Sequence, residues 1–265
     1  MNEAGNGMAD LSSGAAFSGP WCDDDCATTA IMEAISFVTP LLETFCVTSV
    51  ARALCSEPLG VELAERCRAF AREEAGHSRI HRRFNASLEA YLHRPPPGLQ
   101  TVQRLLDGAK HRLSLANRLL FVAAIEHCAA VLSKVYLQWV GARPFRIAFV
   151  KDLFTQHARE ELAHRAVAFD LSVSIGRSGR ARRALALSVV LLVGFLYLTN
   201  AAAWILHRKS RRGTGRTLAA LAKFFVPERR FVARVRSCTG DLVAFARENY
   251  HPLWLVQEPV MEADA

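Results

Sequence analysis

Residues that interrupt helices are scarce in this chain. There are 15 glycines and 10 prolines among 265 residues, and long stretches carry no turn signal. Runs of alternating apolar and polar residues bounded by such signals are also missing, which argues against a sheet architecture. Ala, Leu and Arg fill the uninterrupted stretches, so the expected fold is all-α. The 7 cysteines (Cys22, Cys26, Cys46, Cys55, Cys67, Cys128 and Cys238) are odd in number and scattered. The first residues lack the basic start and apolar core of a secretory signal, so reduced thiols in a cytoplasmic protein are expected. Cys22 and Cys26 flank three aspartates, but a lone C-x-x-x-C is a weak zinc signal. The net charge of +8 comes without a nucleic-acid recognition motif or interleaved aromatics, so nucleic acid is not an expected partner. No internal repeat of fixed period is present.

The length allows one sizeable core or at most two small domains. Residues 1–27, rich in Gly, Ser, Ala and Asp, read as a loose tail. Residues 28–176 read as four long helices. Thr39-Pro40 looks like an N-cap and first helical position for a helix ending near Ser56-Glu57-Pro58. Gly60 to Leu92 reads as the second, stopped by Pro95-Pro96-Pro97-Gly98. The third runs from about Gln100 to Val140, and the fourth from about Pro144 to Ile175. Short or proline-stiffened connections fit antiparallel neighbours in a bundle. Residues 177–250 read as further helices packed on it, with a split at Pro227, and 251–265 as a C-terminal tail.

From Ala184 to Leu206 the chain carries no charge, a length sufficient to cross a bilayer of about 30 Å of hydrocarbon. Basic clusters flank it on both sides, Arg177 to Arg183 and Arg208 to Arg216. Three readings stand: a core or dimer-interface helix, a helix dipping into one leaflet, and a true span.

Two stretches carry chemistry. REEAGHSRIH (Arg72 to His81) holds Glu74 and His77, and QHAREELAHR (Gln156 to Arg165) holds Glu161 and His164. Residues three apart on a helix share a face. Two Glu-x-x-His pairs plus one lone Glu from each of two other helices form the ligand set of di-metal carboxylate bundles. Glu43 and Glu126 sit in apolar contexts on the remaining two helices. One ion would take Glu43, Glu74 and His77, the other Glu126, Glu161 and His164, with Glu74 and Glu161 as bridges. The repeated motif suggests a pseudo-twofold relation between helix pairs. His157, four residues before Glu161, is read as a seventh ligand. His81, four after His77, is a further ligand, a proton shuttle or a core imidazole. Glu73 and Glu160 lie about 100° round their helices and could accept hydrogen bonds from the ligand histidines. His127 points elsewhere and is read as structural. Mixed carboxylate and imidazole donors suit two iron ions, with manganese, mixed Mn/Fe or zinc as alternatives.

Several words along the chain resemble a bacterial family known as predicted metal-dependent hydrolases, which implies a ferritin-like helical arrangement. They are PLLETF around Glu43, FAREEAGHSRIHRRFN from Phe70 to Asn85, IEH at Glu126, and HAREELAHRAVAFD from His157 to Asp170. Leu42, Gln156 and Arg165 depart from the family's usual Gly, Trp and Lys; none is a candidate ligand. The His157-x-x-x-Glu161-x-x-His164 run is also similar to the site of di-iron arylamine N-oxygenases, where a third histidine joins the ligands.

Two chemistries follow as expectations. The first is O2 activation by a di-iron centre, oxidising a small apolar or amphipathic substrate with an external electron donor. The second is hydrolysis by a metal-activated water. The same residues would serve both.

Overall fold

The computed structural model describes residues 15–176, 179–210 and 238–255. These form an all-α architecture in which no strand occurs; an isolated bridge pairs Cys22 with Phe145.

Helix α1 spans Cys26–Ser56, so the expected start at Thr39-Pro40 is corrected. Asp25 caps it, accepting the Ala27 N–H at 2.8 Å and the Thr28 hydroxyl at 2.6 Å. Pro40 therefore lies inside the helix. A proline there removes one N–H and orphans the carbonyl four residues back, typically at a cost of about 3 kcal/mol. That carbonyl belongs to Ser36, and the Asn85 side chain of the next helix donates to it at 2.8 Å. A neighbour thus replaces the missing donor and the helix continues.

Helix α2 spans Val61–Leu92, close to its expected limits. It ends where His93 turns left-handed (φ 64°) and returns its N–H to the Glu89 carbonyl. Gly98 also has positive φ (90°), a backbone conformation that any L side chain would strain.

The expected third helix is in fact α3 (Leu99–Arg112), α4 (Leu115–Val135) and a π-helical turn over Tyr136–Val140. Ser114 restarts the chain as the α4 cap, accepting the Asn117 N–H at 3.4 Å. The expected fourth helix is divided into α5 (Ala148–His164) and α6 (Val167–Ile175). At that break Arg165 sends its guanidinium to the carbonyls of Leu162 and Pro252. Helix α7 (Arg180–Ser210) contains the uncharged segment, and residues 238–244 form a last short helix. The expected division at Pro227 lies outside the described residues.

α1 is the central helix, packed against α2, α3, α4 and α7. Two apolar clusters fill the interior. One holds Phe37 of α1, Phe84 and Leu88 of α2 and Phe154 of α5. The other holds Phe45 and Val50 of α1, Phe70 of α2, Leu119 to Ile125 of α4 and Phe169 of α6. On α1 and on α2 the stretch between the two clusters carries the acids and imidazoles described below.

Residues 15–27 do not form a loose tail. Phe17 and Trp21 are fully buried, and backbone hydrogen bonds tie Asp23 to Pro144 and Arg146 to Trp21. At the other end, Pro252 and Leu255 are buried, so the expected C-terminal tail is packed at least that far. Two basic residues of the clusters flanking the uncharged segment are also buried, Arg183 and the side chain of Lys209. Lys209 pairs with the fully buried Glu33 on α1, which accepts the Trp21 indole N–H at 2.7 Å.

Among the described residues, three helices are long and apolar enough to cross a membrane: Cys26–Ser56, Leu115–Val140 including the π turn, and Arg180–Lys209. The first two have 67% of that apolar stretch buried within the protein, whereas α7 has 28%.

Candidate metal centre

Four helices bring the acids and imidazoles together. α1 supplies Glu43, α2 supplies Glu74 and His77, α4 supplies Glu126, and α5 supplies His157, Glu161 and His164. Donor atoms of Glu43, His77, His157 and Glu161 lie within 4.8 Å of one another. So do those of Glu74, Glu126 and Glu161. Glu161 belongs to both groups. The grouping differs from the expected partition, because Glu74 joins Glu126 rather than Glu43. His164 completes the second group, its Nδ1 lying 2.9 Å from Glu74. Glu74 also reaches the first group, 3.5 Å from His77 Nδ1.

The two Glu-Glu-x-x-His stretches engage crosswise. His77 on α2 donates its Nε2–H to Glu160 on α5, and His164 on α5 donates its Nε2–H to Glu73 on α2. Each imidazole therefore turns Nδ1 inward. An outer carboxylate of this kind fixes ring orientation and raises the basicity of the inward nitrogen.

His81 does not join either group. Its setting follows from Pro40. Because Asn85 donates its N–H to Ser36 O, its carbonyl oxygen is left to accept the Ser36 hydroxyl at 2.7 Å. That hydroxyl has one hydrogen, so the 2.8 Å contact to His81 must be donated by His81 Nδ1–H. His81 Nε2 then carries a bare lone pair, is buried, and has no hydrogen-bond partner. Its ring lies edge-on to His157, with centroids 4.9 Å apart.

The electrostatics are those of carboxylates crowded out of water. Burial, reinforced by Glu74 and Glu161, holds the Glu43 carboxyl well above its usual range. Burial and the same two neighbours do likewise at Glu126. Glu161 is pushed up to about 8, by burial and by Glu74. Burial also works to raise Glu74, but the hydrogen bond from His164 and the nearness of the His77 imidazole outweigh it and the net shift is downward. Burial opposes charge on His77, yet Glu74 and Glu160 push it up to about 9. His157 is held well below the usual imidazole range by burial and then by His81, His77 and His164.

The residues fit a metal cluster on one direct observation. Both oxygens of Glu43, one oxygen each of Glu126 and Glu161, and Nδ1 of His77 and of His157 are buried without any hydrogen-bond partner. An unpaired buried polar atom costs about 1–3 kcal/mol. Several such atoms pointing at one another are tolerated where a cation coordinates them. Hard carboxylate oxygen with imidazole nitrogen is a donor set suited to iron, manganese or zinc.

Other residues fall elsewhere. His127 is fully buried but faces away from the cluster, donating Nε2–H to the carbonyls of Asp241 and Leu242 and accepting the Tyr250 hydroxyl at Nδ1. Neither candidate group contains a cysteine, so among the described residues Cys22 and Cys26 form no such cluster. Three contributors lie outside the expected ligand set. Cys46, one turn beyond Glu43, lies beside Glu126 and offsets part of what burial does to that carboxyl. Ser36 and Asn85 set the tautomer of His81. Each carries a helical spacing that marks its face: Ser36 lies seven residues before Glu43, Cys46 three after it, and Asn85 four after His81.

The sequence profile of the family described as predicted metal-dependent hydrolases matches residues 9–254. No curated protein and no solved structure gives a significant match. The profile covers almost all of the chain, including every helix that lends a side chain to the cluster, and the chain belongs to the family of predicted metal-dependent hydrolases.

Proposed function

We propose that this chain is a two-metal hydrolase whose ions are held by Glu43, Glu74, Glu126, Glu161, His77, His157 and His164. The observation that carries this reading is the convergence of buried carboxylate and imidazole donors that lack hydrogen-bond partners. Family membership puts hydrolysis ahead of the oxidative chemistry expected from the ligand types alone. Bound ions would supply Lewis acidity and an activated water. The chain's own part is positional. Glu160 and Glu73 hold the outer nitrogens of His77 and His164, so both inner nitrogens stay aimed at the cluster. His81 offers an unprotonated Nε2 whose tautomer Ser36 and Asn85 impose. A cleft of about 390 Å³ is lined by Asp152, Thr155, Gln156, Arg159 and the same Glu160, and is the proposed approach for a small substrate.

One observation favours a second reading, O2-dependent oxidation by two iron ions with an external electron donor. The group around His77 carries two imidazoles, His77 and His157, with ring centroids 4.5 Å apart. Imidazole donors suit iron as well as zinc, so this group would accept either.

Metal analysis of the purified protein separates these readings. Zinc or manganese with turnover of ester or phosphoester substrates supports hydrolysis. Iron with rapid O2 consumption by the reduced protein, and no ester or phosphoester turnover, supports oxidation and overturns the first reading. Glu126→Ala should lose metal, and full occupancy in that variant would contradict the ligand assignment. His127→Ala, changed at the next residue, should keep its metal because its nitrogens serve the C-terminal segment.

A further inference from the structure

Helix α7 presents two unlike faces. Inward, Ala186, Leu187, Tyr197, Ala201 and Ile205 are buried, and the Tyr197 hydroxyl donates to the Ala34 carbonyl at 3.1 Å. Outward, Leu185, Leu192, Phe195 and Leu196 are 65%, 59%, 60% and 58% exposed, and Val189 is 37% exposed. Spacings of three and four residues align these side chains in one stripe. At 1.5 Å per residue the stripe runs for roughly 16 Å along the helix. Soluble monomers seldom leave so continuous an apolar surface uncovered.

The charges carried by α7 itself are all of one sign. α7 contains no Asp or Glu. Arg180 and Arg182 are exposed at its start, and His207 and Arg208 at its end. Near that end the Trp204 ring lies under two guanidinium groups, Arg94 at 5.5 Å and Arg208 at 5.1 Å. An indole among cations at the edge of an apolar face suits the boundary between lipid tails and headgroups.

We propose that the outer face of α7 docks in the plane of an anionic lipid surface, with Leu185, Leu192, Phe195 and Leu196 among the acyl chains and the terminal arginines on the headgroups. A second copy of the chain fits this face less well. Pairing α7 with α7, parallel or antiparallel, sets arginines against arginines with no acid on either helix. A spanning orientation also conflicts with the packing. The inner face of α7 lies on α1 and α4, and α2 of the same bundle exposes Arg68, Arg72, Arg79, Arg82 and Arg83, which hydrocarbon would not accept.

The test uses the full chain, floated with vesicles of phosphatidylcholine alone and of phosphatidylcholine with phosphatidylglycerol. Partition should favour the anionic vesicles by about tenfold or more and fall as salt is raised. Leu192→Glu/Phe195→Glu, both at exposed positions, should abolish that binding while helicity and metal content stay unchanged. Absence of binding to either vesicle, or undiminished binding by the double variant, overturns the proposal. Equal, salt-insensitive binding to neutral vesicles overturns it as well. So does a dimer in sedimentation velocity that the same double variant dissolves, because the face would then belong to a second copy. The readout is independent of the metal site, so either idea can fail without the other.

Discussion

The two halves of the candidate metal centre are built from one motif used twice, and they differ at the position four residues before its inner glutamate. On α5 that position is His157; on α2 it is Phe70. Each ring lies against a histidine of the motif. His157 packs on His77 with centroids 4.5 Å apart, and Phe70 packs edge-on to His164 at 5.3 Å. The outer carboxylates, by contrast, are exchanged evenly, Glu160 to His77 and Glu73 to His164. A symmetric frame therefore carries an asymmetric donor set. One half has two imidazoles beside Glu43 and Glu161, while the other has three carboxylates and His164. Imidazole-rich and carboxylate-rich sites differ in metal preference and affinity, so the two ions should be distinguishable in binding.

The strongest way to break the comparison is to remove what both halves share. Glu161→Ala should lose both ions, as read by metal analysis. The metal-free variant should nevertheless be at least as stable as the metal-free parent, because burial and Glu74 already hold the Glu161 carboxyl up at about 8. A variant that kept one tightly bound ion would show that the halves do not depend on a common carboxylate.

Erasing the difference itself should have the next largest effect. His157→Phe makes the α5 copy resemble the α2 copy. It should lower the occupancy of the ion beside His77 from full to partial, leaving the second ion in place, with two-phase titration becoming one-phase at low metal. Loss of both ions together would mean that His157 is not confined to one half.

Smaller effects should follow from the crossed carboxylates. Glu160→Gln and Glu73→Gln should each weaken one ion by on the order of 10–100-fold, as is typical for a partner of a ligating histidine. The effect should appear across the bundle: the α5 change should weaken the ion held by His77 of α2, and the α2 change the ion held by His164 of α5. Weakening on the same helix instead would contradict the crossed arrangement.

Much of this architecture is legible in sequence where the cause is local. α2 starts after Gly60 and ends before a proline run, and its limits are readable within one residue. A spacing of three places Glu74 with His77 and Glu161 with His164, and the structure brings those four together with Glu43 and Glu126. What is not legible is set by distant partners. No breaker marks the end of α5 at His164; Arg165 there bonds the Pro252 carbonyl, from a segment far along the chain. Period alone says that Glu73 and Glu160 face away from their own motif, and cannot say that each serves the other. The Trp21–Glu33–Lys209 contact joins three stretches of the chain that no window of sequence contains.

Pro40 is the sharpest case, and it also separates the halves, since the equivalent position three residues before Glu126 is Ala123. On α4 the backbone ladder passes that point without help. On α1 it depends on Asn85, which fills the carbonyl of Ser36 at 2.8 Å. Asn85→Leu should cost about 1–3 kcal/mol in urea unfolding, because a buried carbonyl loses its donor. Adding Pro40→Ala restores an N–H to α1, and that hydrogen can reach Ser36 along the helix. The double variant should therefore recover part of the loss, with a coupling of about 1 kcal/mol between sites on different helices. Purely additive costs would mean that Asn85 does not stand in for the missing proline hydrogen. The tautomer of His81 would then lose its explanation too, since it rests on the same amide being held in one orientation.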